Sequence, residues 1–245
     1  MHIKQTIKEA VNIKTFDITE NTVKNDKDGE VKKKPWNYET VKQLLLVQFE
    51  ENEGVPFIET PENLLKLKTI VYYLTRDKRF FNSPLLKMQE QSKPSFDKGL
   101  LIVGGYGTGK SALLKAMSDV VAKIHHLRAT YHLCSEMVAE YESMKEAEDI
   151  KQFMDKHFYG TRIYDDLLNE DVASNYGKKD ILKDIFTARY KNKRKTHTAL
   201  NYHPDYPGDV EMALQQIGER YGGHIYDRIF QMFNIIEFPG KSMRC

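Results

Sequence analysis

The chain has 245 residues, 40% of them hydrophobic and 29% charged, enough for one large α/β domain or a core with a smaller appendage. Its 37 Lys and Arg against 35 acids leave a net charge of +2, so only a local basic patch could argue for nucleic acid. Cys134 and Cys245 form neither metal-ligand spacing nor a disulfide framework. There is no signal-like N-terminus and no run of about 18 apolar residues, so a cytoplasmic protein is expected.

Residues 21–37 include Asn25-Asp26-Lys27-Asp28-Gly29-Glu30 and Lys32-Lys33-Lys34-Pro35, which have little to bury and read as a flexible linker. Val41, Leu44, Leu45, Val47 and Phe49 predict a helix over 38–49. A second helix starts after Thr60, its expected cap, with Pro61 in the first helical position and Leu64, Leu67, Ile70 and Val71 on its apolar face. Residues 1–75 thus read as a small helical segment ahead of a main domain over 76–245.

The main domain alternates strand and helix. Leu100-Leu101-Ile102-Val103 is a buried strand, followed by a helix from Ser111 to Leu127 and a strand over Thr130–Cys134. A helix capped by Ser135 is expected to run to about Lys156, ahead of a short strand at Ile163-Tyr164. Then come a helix over 181–190, a strand over 196–200, helices over 210–221 and 225–232, and a strand over 234–238. Such alternation implies a parallel sheet covered by helices on both faces.

The segment Gly104-Gly105-Tyr106-Gly107-Thr108-Gly109-Lys110-Ser111 meets the spacing G-x-x-x-x-G-K-S between a strand and a helix, the context a phosphate-binding loop needs. Glycines let successive N–H groups point inward around phosphate oxygens, and the helix N-terminus aims its positive end at the same charge. Lys110 is expected on the β- and γ-phosphates, the Ser111 hydroxyl on Mg²⁺, and Ala112 within the same nucleotide-binding turn.

Such a loop also needs an acid at a neighbouring strand end. Asp165-Asp166 follows Ile163-Tyr164; Asp165 is assigned to the metal and Asp166 to the attacking water, against the alternative of an ordinary acidic loop. Asn201, ending its strand, is either a γ-phosphate or water contact or a plain turn residue near Pro204. Arg189, Lys191, Lys193, Arg194 and Lys195 form a basic cluster. It reads as a solvated face or as a single-stranded DNA contact on which Tyr190 could stack a base.

From about residue 79 onward the chain resembles the DnaC/DnaI-type helicase loaders, a branch of the AAA+ ATPases that includes IstB-type transposition helpers. The landmarks, in order, are Lys98 to Gly104 with the phosphate loop, Asp165-Asp166-Leu167 with Glu170, and Arg189-Tyr190 ahead of Thr196 to Asn201. Gly218-Glu219-Arg220, Tyr226-Asp227-Arg228-Ile229 and Phe238 to Arg244 follow. The resemblance implies an AAA+ P-loop NTPase specific for ATP, with Asn201 as the γ-phosphate sensor. It makes Arg228 an arginine finger in the next subunit's site, with Arg220 its rival, and Arg244 a second sensor. It implies a homo-oligomer stimulated by assembly, a replicative ring helicase as partner of the N-terminal segment, and little or no C-terminal lid. Leu168 departs from the glycine common in the family at that point. A transposition helper and a nucleotide-gated adaptor stay open as alternatives.

Overall fold

The computed structural model describes residues 36–123, 128–175 and 177–240. Residues 21–35 of the linker reading over 21–37, and the Arg244 assignment, lie outside them. Tyr38–Cys245 is one compact unit, which takes in both front helices together with the sheet domain.

Helices α1 (Tyr38–Glu53) and α2 (Pro61–Leu74) form as their apolar periodicity predicts. Thr60 caps α2, its hydroxyl accepting from the Asn63 amide at 3.2 Å, with Pro61 next in line. A 3-10 turn (Lys78–Asn82) leads to β1 (Leu86–Lys87), too short to leave a sequence signal. Then follow β2 (Gly99–Gly104), α3 (Lys110–Ala122), β3 (Ala129–Leu133), α4 (Cys134–Ser143), α5 (Ala147–Phe158) and β4 (Thr161–Leu167). The chain continues through α6 (Ile181–Lys191), β5 (Thr196–Asn201), α7 (Val210–Tyr221), α8 (Gly223–Met232) and β6 (Phe233–Phe238).

The sheet order is β1-β6-β2-β5-β4-β3, parallel throughout except for β1, which pairs antiparallel to β6. Side chains alternate across each strand. Leu101, Val103, Tyr164, Leu200 and Ile235 join one core with apolar residues of α4 to α8. Leu100, Ile102, Ala199 and Ile236 are buried too, facing the other side, where α3 lies with α1 against it. The strands carry apolar residues on both faces because both faces are covered.

Three local expectations are corrected. The single helix expected to reach about Lys156 is two, because Met144 turns to extended backbone (φ −77, ψ 135). Asn175 Nδ2 donates to the carbonyls of Tyr141 at 3.0 Å and Met144 at 2.7 Å, satisfying the end of α4. Ser135 lies inside α4 rather than capping it, the cap position being Leu133. Strand β4 does not stop before the two aspartates but carries them inside it.

Candidate functional site

The ends of β2, β4 and β5 meet at one edge of the sheet. The loop from Gly105 to Gly109 leaves β2 and enters α3, with Gly107 at φ 73 and Gly109 at φ 89. That left-handed region is costly for residues with a Cβ, which is why glycines occupy both places. Thr108 Oγ1 donates to the Gly105 carbonyl at 2.9 Å, closing the loop on itself. Tyr106 projects outward, 77% exposed.

Lys110 folds back over this loop. Its ammonium donates to the carbonyls of Gly104 at 2.9 Å and Gly105 at 2.7 Å, and to Asn201 Oδ1 at 2.9 Å. Asn201 Nδ2 in turn donates to Asp166 Oδ1 at 2.9 Å, while Asp166 Oδ2 accepts from Asn169 Nδ2 at 2.8 Å. Three strand ends are therefore tied by one polar chain, Lys110–Asn201–Asp166. Strand pairing places it: Gly104 lies opposite Asn201, and Leu200 opposite Leu167.

The two aspartates separate at a bulge. Tyr164 pairs with Thr198 and Leu167 with Leu200, so Asp165 and Asp166 together oppose Ala199. Asp166 sits at φ 60 and Leu168 at φ 72, a conformation for which glycine would be free of strain. Leu168 is the position where the sequence departs from the resembling family's glycine. Asp165 is buried, and its Oδ2 accepts from the Tyr131 hydroxyl at 2.5 Å. Burial and this carboxylate push the Tyr131 hydroxyl well above its usual pKa, keeping it a donor. Asp165 Oδ1 is buried with no hydrogen-bond partner among the described residues.

That spare oxygen and the exposed Ser111 hydroxyl are the groups that could hold a Mg²⁺ ion. No group of three or more His, Cys, Asp or Glu side chains that could hold a metal exists among the described residues. Magnesium at such sites keeps water and takes substrate phosphate as ligands, so a sparse protein set is compatible with it. Tyr131 and Asn169 were not picked out from the sequence. Tyr131 is on β3, two residues before the strand ends, and only the register with β4 brings it to Asp165.

The arginines divide differently. Arg220 is engaged within its own chain: Nη1 donates to the Glu170 carbonyl at 2.6 Å, Nη2 lies 3.0 Å from Glu170 Oε1, and Nε bonds Asp180 Oδ2 at 3.2 Å. The Tyr221 hydroxyl also donates to Glu170 at 2.6 Å. Burial raises the Glu170 carboxyl above its usual range, against the pull of Tyr221 and Arg220. Arg228, on α8, lies over the Tyr190 ring at 4.7 Å, and Tyr190 donates to Gln231 Oε1 at 2.9 Å.

Within the basic cluster, Arg189 is a correction. It is fully buried, and its guanidinium bonds Thr196 Oγ1 and the carbonyls of His157, Tyr159, Gly160 and Lys195. It clamps the turn before β4 to the turn before β5 and has nothing left for a phosphate. Burial brings its pKa down to about 10, still charged at neutral pH. Lys195 is half-buried and donates to the Phe96 carbonyl at 2.6 Å, while Lys191, Lys193 and Arg194 lie nearer the surface. The cluster leads into the start of β5, whereas Asn201 ends it, so the two sit at opposite ends of the sheet.

No protein-family model and no curated protein matches the chain. Among solved structures it is similar to the crystal structure of the DnaC helicase loader, at 19% identity over 73% of this chain and 91% of that one, with a TM-score of 0.49. It is similar to DnaI at 18% identity over 80% of this chain and 93% of that one, TM-score 0.49. AMPPCP-bound DnaA from Aquifex aeolicus aligns at 17% identity over 74% of this chain and 48% of that one, TM-score 0.45.

Proposed function

We propose that this chain is an AAA+ protein that binds ATP with Mg²⁺, hydrolyses it, and serves DNA replication as a helicase loader. The observation that carries the ATPase reading is the Lys110–Asn201–Asp166 chain beside the glycine loop. A lysine held by two loop carbonyls and an asparagine can exchange those neutral acceptors for phosphate oxygens, to which an ammonium bonds more strongly. Gly104 to Ala112 would wrap the phosphates with main-chain N–H groups. Mg²⁺ on Ser111 and Asp165 would neutralise charge developing on the phosphoryl oxygens. Departure of Lys110 would free the Asn201 Oδ1, so that the side chain could turn its Nδ2 donor from Asp166 to the γ-phosphate, leaving Asp166 to orient the attacking water.

Arg228 is the better finger for a neighbouring subunit, since Arg220 is already held by Glu170 and Asp180. A guanidinium supplied in trans would make hydrolysis depend on homo-oligomer assembly. Arg244 is assigned to the nucleotide of its own chain. The loader role rests on the ordered motif set described above, and the partner on that resemblance alone.

The test is capture of the replicative ring helicase by the ATP-loaded protein, with and without residues 1–37. Removing residues 1–75 would be a poor test, because α1 and α2 belong to the compact unit of the core. Capture that requires residues 1–37 and ATP is expected. A protein that binds ATP yet captures no helicase would overturn the loader role; if it then coats duplex DNA, it is a transposition helper instead.

A further inference from the structure

The phosphate loop has a support from outside the sheet domain's motifs. Lys66, in the middle of α2, is fully buried, and its ammonium meets Glu62 Oε1 at 2.7 Å, Asn63 Oδ1 at 3.5 Å and the Thr108 carbonyl at 3.3 Å. The Phe238 ring lies 5.8 Å away. A buried ammonium is tolerated only where its donors are matched, and two of the three acceptors are on its own helix. The third is the loop residue just before Gly109.

We propose that Lys66 is a positioning residue that fixes the Thr108–Gly109 peptide so that its N–H faces the bound phosphates, which rests on the nucleotide reading above. The peptide group is planar and trans, so its C=O and N–H point in opposite directions. Holding the Thr108 carbonyl towards α2 turns the Gly109 N–H the other way, into the loop. Gly109, at φ 89, has no Cβ to resist a flip of this peptide, so the loop's own sequence does not lock it. The neighbouring anchors act elsewhere: Thr108 Oγ1 and Lys110 both hold the Gly105 carbonyl, and Lys110 also holds Gly104. Lys66 holds the Thr108 carbonyl from α2 at 3.3 Å. Its effect is to tie nucleotide affinity to the docking of α2.

The experiment compares wild type, Lys66→Met, Lys66→Arg and Lys110→Ala in the full chain, titrating each with MgATP and with adenosine, and checking folding by thermal melting. Lys66→Met is expected to weaken MgATP about tenfold, the loss of one hydrogen bond from a charged donor, while adenosine affinity stays within about twofold. Lys66→Arg, which keeps charge and reach, should recover most of the MgATP loss. Affinity unchanged in Lys66→Met, a loss shared equally by adenosine, or a loss that arginine does not restore would overturn the proposal. If Lys66→Met does not fold, Lys66→Gln, which keeps a shorter donor, is read by the same comparison. Should wild type fail to bind MgATP, the nucleotide reading itself falls; if wild type binds and only Lys110→Ala is impaired, this proposal alone is lost.

Discussion

The two ends of the parallel sheet both gather cationic side chains, and they use them in opposite ways. At the end where β2 and β5 finish, Lys110 rests on two loop carbonyls and Asn201, neutral acceptors that an anion can displace. At the end where β4 and β5 begin, Arg189 is buried under acceptors supplied by two turns. The first arrangement uses acceptors that a ligand could replace, and the second is closed by the fold. Charge in the sequence is the same signal in both places; what separates them is whether the chain itself completes the donors' geometry.

The largest expected effect breaks the open end without unfolding it. Asp166→Asn should lower the ATP turnover number about 100-fold or more while MgATP affinity changes little, as for loss of a group that acts on the reacting water. Turnover within a few-fold of wild type would remove Asp166 from the chemistry and leave an adaptor that only binds nucleotide.

At the closed end, Arg189→Leu should destabilise the protein by about 3–5 kcal/mol in urea unfolding, because buried carbonyls lose a charged partner. A loss below about 1 kcal/mol would show that water replaces the guanidinium readily. The next effect is on pH. Burial holds the His157 and His197 rings down at about 3, and His197 Nδ1 accepts from the Leu100 amide at 3.1 Å. Folded-state values below the unfolded one give stability that is present above the unfolded pKa of about 6.5 and lost as pH falls towards 3. Burial holds His132 down as well, at about 4, so stability should fall by about 4–6 kcal/mol between pH 7 and pH 5, and His197→Asn should flatten about a third of that slope, whatever it costs at neutral pH. A slope unchanged by the substitution would place the titrating group elsewhere.

The smallest effect concerns the surface part of the basic cluster. Changing Lys191, Lys193 and Arg194 together to Glu should weaken single-stranded DNA binding at low salt by about tenfold or more, with a shallower salt dependence. Equal affinity in wild type and variant would make these residues a solvated face.

The sheet and the glycine loop between β2 and α3 were legible in the sequence because each rests on local chemistry. Apolar runs ending in glycine mark buried strands, Thr60-Pro61 marks a helix start, and the spacing from Gly104 to Ser111 marks the loop. Features set by register or by distant partners were not. The break after Ser143 depends on Asn175, more than thirty residues on by its hydrogen bonds to Tyr141 and Met144. Tyr131 reaches Asp165 only through strand pairing, and Lys66 looks like any surface lysine until α2 is docked. The burial of Arg189 was hidden for the same reason: all its acceptors but Thr196 Oγ1 are main-chain carbonyls, which leave no mark in a sequence.

The most direct test is calorimetric titration of MgATP into the wild-type chain and Lys110→Ala. Binding by wild type, weakened about 100-fold or more in Lys110→Ala, is expected if the ammonium exchanges loop carbonyls for phosphate oxygens. No binding by wild type, or equal binding by both, would contradict the nucleotide site.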